Sequence, residues 1–288
     1  MLLPRFQLDE PESVAEACAL LRRYGEEASV YAGGTELLLA MKLRILRYAR
    51  LINIKRIPGL ASIALSNGRL TLGPFVTHRM IEHDATLRDQ VPVLAAMARQ
   101  IGNVRVRAAG TVGGNVCFAE PHSDPPTLLT ALDAGFVLTG ADGVREVAAD
   151  EFFVGAYETA RRHDELLTAI VVTPPPPGTR VAYHRFAVSE RPVIAVAASV
   201  TPDQQGRVSR VRIVVGAVGV RPERARAGET VAGGLGPAEL ASALPRIAEL
   251  AAAEVPVFAD IHGAEDYKKH LVAVHVTRAL REAAARGQ

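Results

Sequence analysis

Apolar residues recur at helical spacing near the start of the chain. In DEPESVAEACALLRRYGE, residues 14, 17, 20 and 21 are apolar, Ser13 and acidic residues precede them, and Gly25 follows. This pattern predicts an amphipathic helix that begins near Ser13 and ends near Gly25. The next segment, ASVYAGGTELLLAMK, predicts a short strand, a glycine turn and a helix, with Thr35 as the candidate N-cap.

Short apolar runs alternate with turn residues as far as residue 173. RLINI and GRLTLGPFVT are strand candidates, PVLAAMARQIG predicts a helix that stops at Gly102, and a further helix is predicted from about Thr127. GFVLTG and VREVAAD around ADG predict a hairpin, and DELLTAIVVTP is another strand candidate. Helices and antiparallel strands are therefore mixed in this part of the chain.

The prolines at 174–177 form the clearest domain boundary. After them, TRVAYHRFAV, VIAVAASVTPD and RVSRVRIVVGAVG predict an antiparallel meander. PAELASALPRIAELAAAEV and AEDYKKHLVAVHVTRALREAAAR predict two helices that cover it, an α+β arrangement. We therefore predict one domain over residues 1–176, with subdomains of about 1–57 and 58–176, and an α+β domain over 177–288.

Composition narrows the function classes. The 288 residues suffice for roughly two domains, and 33 basic against 31 acidic residues give a net charge of +2. The basic residues are scattered, so no nucleic-acid surface is expected. No secretory signal pattern is seen at the start, and the clean apolar run VIAVAASV is far shorter than the ~20 residues that span a bilayer. We expect a soluble, cytoplasmic protein.

Few residues have the spacing of a metal or catalytic site. Cys18 and Cys117 are the only cysteines. Two thiols cannot hold an iron–sulfur cluster, which usually takes four, and we expect buried thiols rather than a disulfide. His78 and His83 fit no common zinc spacing. His122 is expected to be solvated in a surface loop. We predict neither a metal site nor catalytic acid, base or nucleophile residues.

Two glycine turns are the strongest chemical signal, AGGTE at 32–36 and GTVGGN at 110–115. Backbone N–H groups in such turns bind anions, so two facing turns would clamp a pyrophosphate, with Thr35, Thr111 and Asn115 as side-chain donors. The alternative is that each is only a tight turn. Neither turn matches the dinucleotide fingerprint GxGxxG or the Walker A sequence. We expect Gly34→Val and Gly113→Val to fill the phosphate space and abolish binding while leaving most of the fold.

The order and spacing of these segments resemble the FAD-binding medium subunits of the molybdenum hydroxylases, bacterial relatives of xanthine dehydrogenase. AGGTELL resembles the first FAD loop and GTVGGN the second. SDPPTLLTALDA, DELLTAIVVTP, VRIVVGAVG with PERA, and ADIHGAEDYKKHLVAVHVTRAL resemble later blocks. The resemblance covers essentially the whole chain. It implies a two-part FAD-binding domain of the vanillyl-alcohol-oxidase/PCMH type, followed by a C-terminal domain of the CO dehydrogenase flavoprotein type.

The resemblance also implies a set of FAD-binding residues. They are Tyr31, Ala32, Gly33, Gly34, Thr35, Glu36 and Leu37 around the first loop, Gly110, Thr111, Val112, Gly113, Gly114 and Asn115 in the second, and Thr77, Ile101, Asp124, Leu166 and His184 elsewhere. Asp124 matches an acceptor for cofactor hydroxyls, Leu166 a packing residue, and His184 a position where some relatives carry lysine. Pro192 and Val193 stand where relatives often carry an acidic or aromatic residue near the flavin.

The function implied by the resemblance is electron transfer within a heteromer. A large subunit with a molybdenum cofactor would oxidise the substrate, and a small subunit with [2Fe–2S] clusters would pass electrons to FAD in this chain. The acceptor would be NAD⁺, a quinone or another compound, and the assembly a dimer of heterotrimers. Two alternatives remain open, a free-standing FAD-dependent oxidoreductase of the same fold and a cofactor-free assembly subunit.

Overall fold

The computed structural model describes residues 2–285. The strands are β1 (Gln7–Asp9), β2 (Ala28–Tyr31), β3 (Arg50–Asn53), β4 (Ile63–Ser66), β5 (Arg69–Leu72), β6 (Gly135–Gly140), β7 (Gly143–Ala148), β8 (Phe153–Gly155), β9 (Glu158–Thr159), β10 (Leu166–Val172), β11 (Arg180–Phe186), β12 (Ile194–Pro202), β13 (Val208–Gly216) and β14 (Glu223–Arg224). The helices are α1 (Val14–Tyr24), α2 (Leu37–Lys42), α3 (His78–His83), α4 (Ala85–Gln90), α5 (Pro92–Ala98), α6 (Val104–Ala109), α7 (Val112–Phe118), α8 (Asp124–Ala131), α9 (Ala149–Phe152), α10 (Arg226–Ala232), α11 (Pro237–Glu254) and α12 (Glu265–Ala284).

Residues 2–57 contain a small parallel sheet in the order β1-β3-β2, with α1 and α2 beside it. Helix α1 begins and ends where its sequence predicts. The Ser13 hydroxyl accepts a hydrogen bond from the Glu16 N–H at 3.1 Å, and Gly25 ends the helix with φ +51°. The left-handed φ explains the glycine, because other residues rarely adopt it. The helix buries Ala17, Cys18 and Leu21.

A five-stranded antiparallel sheet forms the second part, in the order β4-β5-β10-β6-β7. Its core includes Phe136 and Phe152, whose rings stack with centroids 4.0 Å apart. The predicted hairpin is β6–β7. Helix α8 begins at Asp124, three residues before the predicted start at Thr127, because Pro125 and Pro126 occupy its first turn, where proline needs no N–H partner. Strand β5 ends at Leu72, so GPFVT is not part of it.

The C-terminal part is a four-stranded antiparallel sheet in the order β11-β12-β13-β14. Helices α10 and α12 pack on one face, α11 packs against both of them, and α8 of the preceding part packs against β12 and β13. Strand β12 is therefore buried on both faces, which accounts for its continuous apolar run from Ile194 to Ala198. Gly216 faces α8 so closely that a Cβ there would lie 2.0 Å from the Thr127 hydroxyl oxygen.

Charged side chains join the C-terminal sheet to the parts before it. Arg212 of β13 pairs with Asp133, and the Arg185 guanidinium of β11 lies 3.3 Å from the Asp124 carboxylate. Both side chains of the Arg185–Asp124 pair are almost fully buried, so that pair is screened little by salt. Among residues 2–285, no helix has the length and apolar character needed to cross a membrane.

Candidate cofactor site

A cleft lies between the small parallel sheet and the five-stranded sheet. Its wall comes from the β2–α2 turn, the start of α7, and residues around Ile101 and Leu166. The cleft contains about 1060 Å³ of empty space, counting the solvent at its mouth. Both glycine turns border this cleft, so the structure brings together two motifs separated by more than 70 residues.

The first glycine turn presents free backbone donors. Within residues 2–285, the N–H groups of Gly33 to Leu37 donate to no protein acceptor. The Thr35 hydroxyl also has no protein partner in this range. The prediction that Thr35 caps α2 is wrong. Glu36 occupies the N-cap position and makes no side-chain cap bond. A run of unpaired N–H groups along a cleft is suited to bind an anion, because several backbone donors can point at its oxygens.

Most backbone amides of the second glycine turn are already hydrogen-bonded within the protein. Val112 N–H donates to Val76 O at 2.9 Å, Gly113 N–H to Pro74 O at 3.0 Å, and Gly114 N–H to the Thr111 hydroxyl at 3.0 Å. These bonds begin α7 and fix the turn against the segment before α3. The first turn therefore supplies the free backbone donors, and the second supplies a wall opposite them.

Neighbouring protein atoms leave no room for a side chain at several glycines of both turns. A Cβ at Gly33 would lie 2.2 Å from Ala109 O, and one at Gly113 would lie 2.4 Å from Pro74 Cβ. Gly34 has φ +74°, and its Cβ would lie 2.4 Å from the Tyr31 ring. For Gly34, whose Cβ would meet only side-chain atoms, the expected effect of valine stays a prediction. At Gly113, whose Cβ would meet the Pro74 backbone, the expectation that valine leaves most of the fold is wrong. Such a side chain meets the protein itself first, so the fold would change as well.

Most residues predicted for the cofactor line this cleft. They are Ala32, Gly33, Gly34, Thr35, Glu36, Leu37, Ile101, Thr111, Gly113, Gly114, Asn115 and Leu166. Sequence reasoning left out further lining residues, which are Ser29, Ile54, Pro74, His78, Val106, Cys117, Phe118, Arg161 and Leu167. These come from elements that touch the cleft only because of the tertiary packing. No local motif marks them, although Cys117 and Phe118 directly continue the second glycine turn.

Six residues predicted for the site lie outside the cleft lining, namely Tyr31, Thr77, Gly110, Val112, Asp124 and His184. Thr77 caps α3 by accepting from the Met80 N–H at 3.1 Å. Asp124 accepts a hydrogen bond from the Tyr183 hydroxyl at 2.6 Å, and His184 Nε2 lies 2.8 Å from a Glu282 carboxylate oxygen. Their contacts with the cofactor stay predictions.

Two titratable side chains in the wall are held neutral. His78 is 3% exposed, and burial, helped by the charge of Arg107, lowers its pKa to about 4. Burial raises the pKa of the Cys117 thiol to about 11. A neutral thiol is a poor nucleophile, so Cys117 is unsuited to form a covalent bond to a cofactor at neutral pH. No group of three or more potential metal ligands is found in the part of the chain that the structure describes.

Family models match both parts of the chain. Residues 4–175 match the FAD binding domain in molybdopterin dehydrogenase, and residues 184–283 match the CO dehydrogenase flavoprotein C-terminal domain.

The chain belongs to the FAD-binding medium subunits of the molybdenum hydroxylases.

Two named relatives align with this chain over nearly the whole length of both proteins. The chain is 34% identical over 287 residues to the carbon monoxide dehydrogenase medium chain of Hydrogenophaga pseudoflava, covering 99% of both proteins. It is 32% identical over 291 residues to the nicotine 6-hydroxylase medium subunit of Paenarthrobacter nicotinovorans, covering 99% of this chain and 100% of that one.

Solved structures share the fold. Carbon monoxide dehydrogenase from Hydrogenophaga pseudoflava, in a form lacking the Mo-pyranopterin moiety, superposes with a TM-score of 0.94 at 34% identity and covers 98% of each chain. Quinoline 2-oxidoreductase from Pseudomonas putida 86 gives a TM-score of 0.92 at 28% identity, covering 99% of this chain and 98% of that one. The α+β fold class predicted from the sequence is confirmed.

The cleft fits FAD on its own geometry. The free N–H groups of residues 33–37 suit a pyrophosphate, and the adjoining wall of Ile101, Val106, Leu166 and Leu167 is apolar, as an organic ring system requires. FAD has both an anionic pyrophosphate and an organic ring system, so it needs an anion-binding surface and an apolar surface. This cleft contains both.

Proposed function

We propose that this chain holds FAD non-covalently in the cleft between the small parallel sheet and the five-stranded sheet. We also propose that it carries electrons from [2Fe–2S] clusters of a small partner subunit to an external acceptor. The observation that carries the proposal is the run of unpaired N–H groups at residues 33–37 beside an apolar wall. When bound, FAD supplies the redox chemistry, because it can take up and release electrons.

The residues of this chain bind and orient the cofactor rather than react with substrate. Backbone donors of the first glycine turn and the Thr35 hydroxyl hold the pyrophosphate. Ile101 and Leu166 exclude water from the apolar part of the cleft. His78 stays neutral near pH 7 because burial lowers its pKa to about 4, so it adds no charge beside the cofactor.

The substrate is chosen elsewhere in the assembly. The similar medium chains belong to enzymes named for carbon monoxide and for nicotine, although they align with this chain over its whole length. A common electron-carrying subunit therefore serves different substrates. We propose that a large molybdenum-cofactor subunit oxidises the substrate and that the assembly is a dimer of heterotrimers, since two-fold symmetry is the commonest in oligomers.

Domain limits and location belong to the same proposal. We place the boundary of the FAD-binding domain near residue 176, in the proline run, and that of its two subdomains near residue 57. We also assign the chain to the cytoplasm. Cys18 and Cys117 are both free thiols, which suits a reducing compartment.

The first experiment tests the cofactor and its attachment. The full chain is purified, its visible spectrum is recorded, and the protein is precipitated with acid. We expect a flavin spectrum and release of FAD into the supernatant. A colourless chain that does not take up added FAD would support a cofactor-free assembly subunit. Flavin retained by the precipitate would contradict non-covalent binding and direct attention to Cys117 and His78 in the cleft wall.

A second experiment separates a subunit from a free-standing enzyme. The FAD-loaded chain is mixed anaerobically with aromatic and heterocyclic substrates, and the flavin absorbance is followed. We expect no reduction until the molybdenum and iron–sulfur subunits from the same source are added. Substrate-dependent reduction by the isolated chain would replace the proposal with a free-standing oxidoreductase.

A further inference from the structure

The first glycine turn carries a charge that opposes its own ligand. Glu36 lies within the run of free N–H groups and lines the cleft, and FAD would bring an anionic pyrophosphate to the same place. Like charges at close range disfavour each other, most strongly where water is partly excluded. The site therefore requires a cation close to Glu36 if it is to bind the anion well.

Arg191 supplies that cation from the C-terminal domain. It lies in the turn between β11 and β12, and its Nη2 is 2.8 Å from a Glu36 carboxylate oxygen. Its Nη1 is 3.0 Å from the carboxylate of Glu120, a buried residue that follows α7. One guanidinium thus joins the first glycine turn, the end of the helix that starts at the second turn, and the C-terminal domain.

Glu120 is itself held in a chain of charged groups. His122 Nδ1 lies 3.3 Å from Glu120, its Nε2 lies 2.9 Å from Asp260, and Lys268 Nζ lies 2.5 Å from Asp260. Burial alone would raise the pKa of Glu120, but the hydrogen bond with His122 and the charge of Arg191 lower it below its ordinary value. His122 is therefore a half-buried member of this series of charged groups. The prediction from its sequence context, a solvated residue in a surface loop, is wrong.

We propose that Arg191 is a positioning residue for the cofactor. It neutralises Glu36 and Glu120 and holds the first glycine turn in the geometry that leaves its N–H groups facing the cleft. FAD affinity then depends on a side chain of the C-terminal domain. This inference rests on the proposed function, in which the cleft binds FAD.

A purely structural tie between domains is the competing explanation, and the two differ in what Glu36 does. If Arg191 acts by neutralising charge, removing its cation leaves a repulsive carboxylate in the cleft, and removing that carboxylate too relieves the repulsion. If Arg191 acts only as a tie, losing the Glu36 carboxylate cannot restore anything. The double variant therefore distinguishes them.

The experiment measures FAD dissociation constants of the full chain by quenching of flavin fluorescence. The variants are Arg191→Gln, Glu36→Gln, the two combined, and Arg191→Lys. Arg207→Gln is the matched control, because Arg207 pairs with Glu239 at 3.5 Å, is half-exposed and does not line the cleft. Thermal unfolding of each apo-protein establishes that the chain is folded.

We expect Arg191→Gln to weaken FAD binding about tenfold at low salt, with a smaller loss at high salt, because partly exposed charges are screened. The combined variant should return to within about threefold of wild type, Arg191→Lys should lie between, and Arg207→Gln should bind as wild type.

Wild-type affinity in Arg191→Gln, or a combined variant no better than Arg191→Gln, would overturn the inference while leaving the proposed function intact. If Arg191→Gln does not fold, folded Arg191→Lys decides in its place, since a lysine cannot engage both carboxylates in the same fork geometry. Wild-type affinity in Arg191→Lys, combined with wild-type affinity in Glu36→Gln, would also overturn the inference. A wild-type chain that binds no FAD would instead remove the proposed function.

Discussion

The short helices of the cofactor-binding part differ in kind from the two long helices, α11 and α12, of the C-terminal domain. Helices α1 to α9 have 4 to 11 residues, and five of them begin with a side chain that accepts a hydrogen bond from the first turn, namely Ser13, Thr77, Asp84, Asn103 and Thr111. Helices α11 and α12 have 18 and 20 residues, and their first residues follow Gly236 and Ala264, which have no such side-chain cap bond.

This difference has a physical basis. A helix of two turns is marginal in water, so its end groups matter as much as its packing. Long helices gain most of their stability from a buried apolar face, as α11 does with Leu240, Leu244 and Ile247. The cofactor-binding part therefore depends on exact backbone contacts at turns, whereas the C-terminal domain depends on the volume of its core.

Gly33→Val should have the largest effect on both the free energy of unfolding and FAD binding. Its Cβ would lie 2.2 Å from Ala109 O, so the segments that form the cleft must separate. We expect a loss of more than about 3 kcal/mol in the free energy of unfolding and no measurable FAD binding. Urea unfolding and flavin fluorescence measure the two effects.

Gly236→Ala in the C-terminal domain is the control for that variant. Gly236 has φ −74°, and its Cβ would meet only the Glu239 carboxylate at 3.4 Å. We expect a change of less than about 1 kcal/mol and unchanged FAD affinity. Similar losses in both variants would show that the two parts do not differ in their sensitivity to backbone contacts.

Each part contains one buried histidine whose pKa is lowered from 6.5 to about 4, by burial above all: His78 in the cleft wall and His275 in the C-terminal domain. Between pH 6.5 and pH 4 the unfolded chain binds protons at these rings and the folded chain does not. The free energy of unfolding therefore falls as the pH is lowered through this range, by up to about 3 kcal/mol for each histidine.

Unfolding by urea at several pH values measures this slope. We expect His78→Gln and His275→Gln each to flatten it, and only the slope is compared because each substitution also changes packing. FAD affinity distinguishes the two variants. His275 lies outside the cleft lining, so His275→Gln should leave the FAD affinity unchanged. A slope equal to that of wild type in both variants would contradict a neutral state for these rings.

Thr111→Val should destabilise the protein less than Gly33→Val does. Its hydroxyl caps α7 by accepting from the Gly114 N–H at 3.0 Å, and losing such a cap costs about 1 kcal/mol. Thr77→Val removes an equivalent cap from α3, but Thr77 does not line the cleft. We expect equal losses of stability and a loss of FAD affinity only for Thr111→Val. An equal loss of affinity in Thr77→Val would support the cofactor contact that the resemblance assigns to Thr77.

Much of the architecture could be predicted because it depends on local patterns. Ser13 and Gly25 mark the ends of α1 by cap chemistry, and the meander of β11, β12 and β13 follows from its apolar runs. The helices α3, α4, α6, α7, α9 and α10 were not predicted. They are short, and the periodicity of so few residues is too brief to distinguish a helix from a loop.

The two glycine turns and the α+β class could be predicted from the sequence, because backbone freedom and apolar period are local properties. The family was recognised from the order and spacing of whole segments. The tertiary fold, in contrast, sets which turn keeps most of its N–H groups free, since Pro74 and Val76 lie more than 30 residues before the amides they accept from. It likewise decided that Glu36 meets Arg191, 155 residues away in sequence. Such pairings depend on how the domains pack, and no local pattern encodes them.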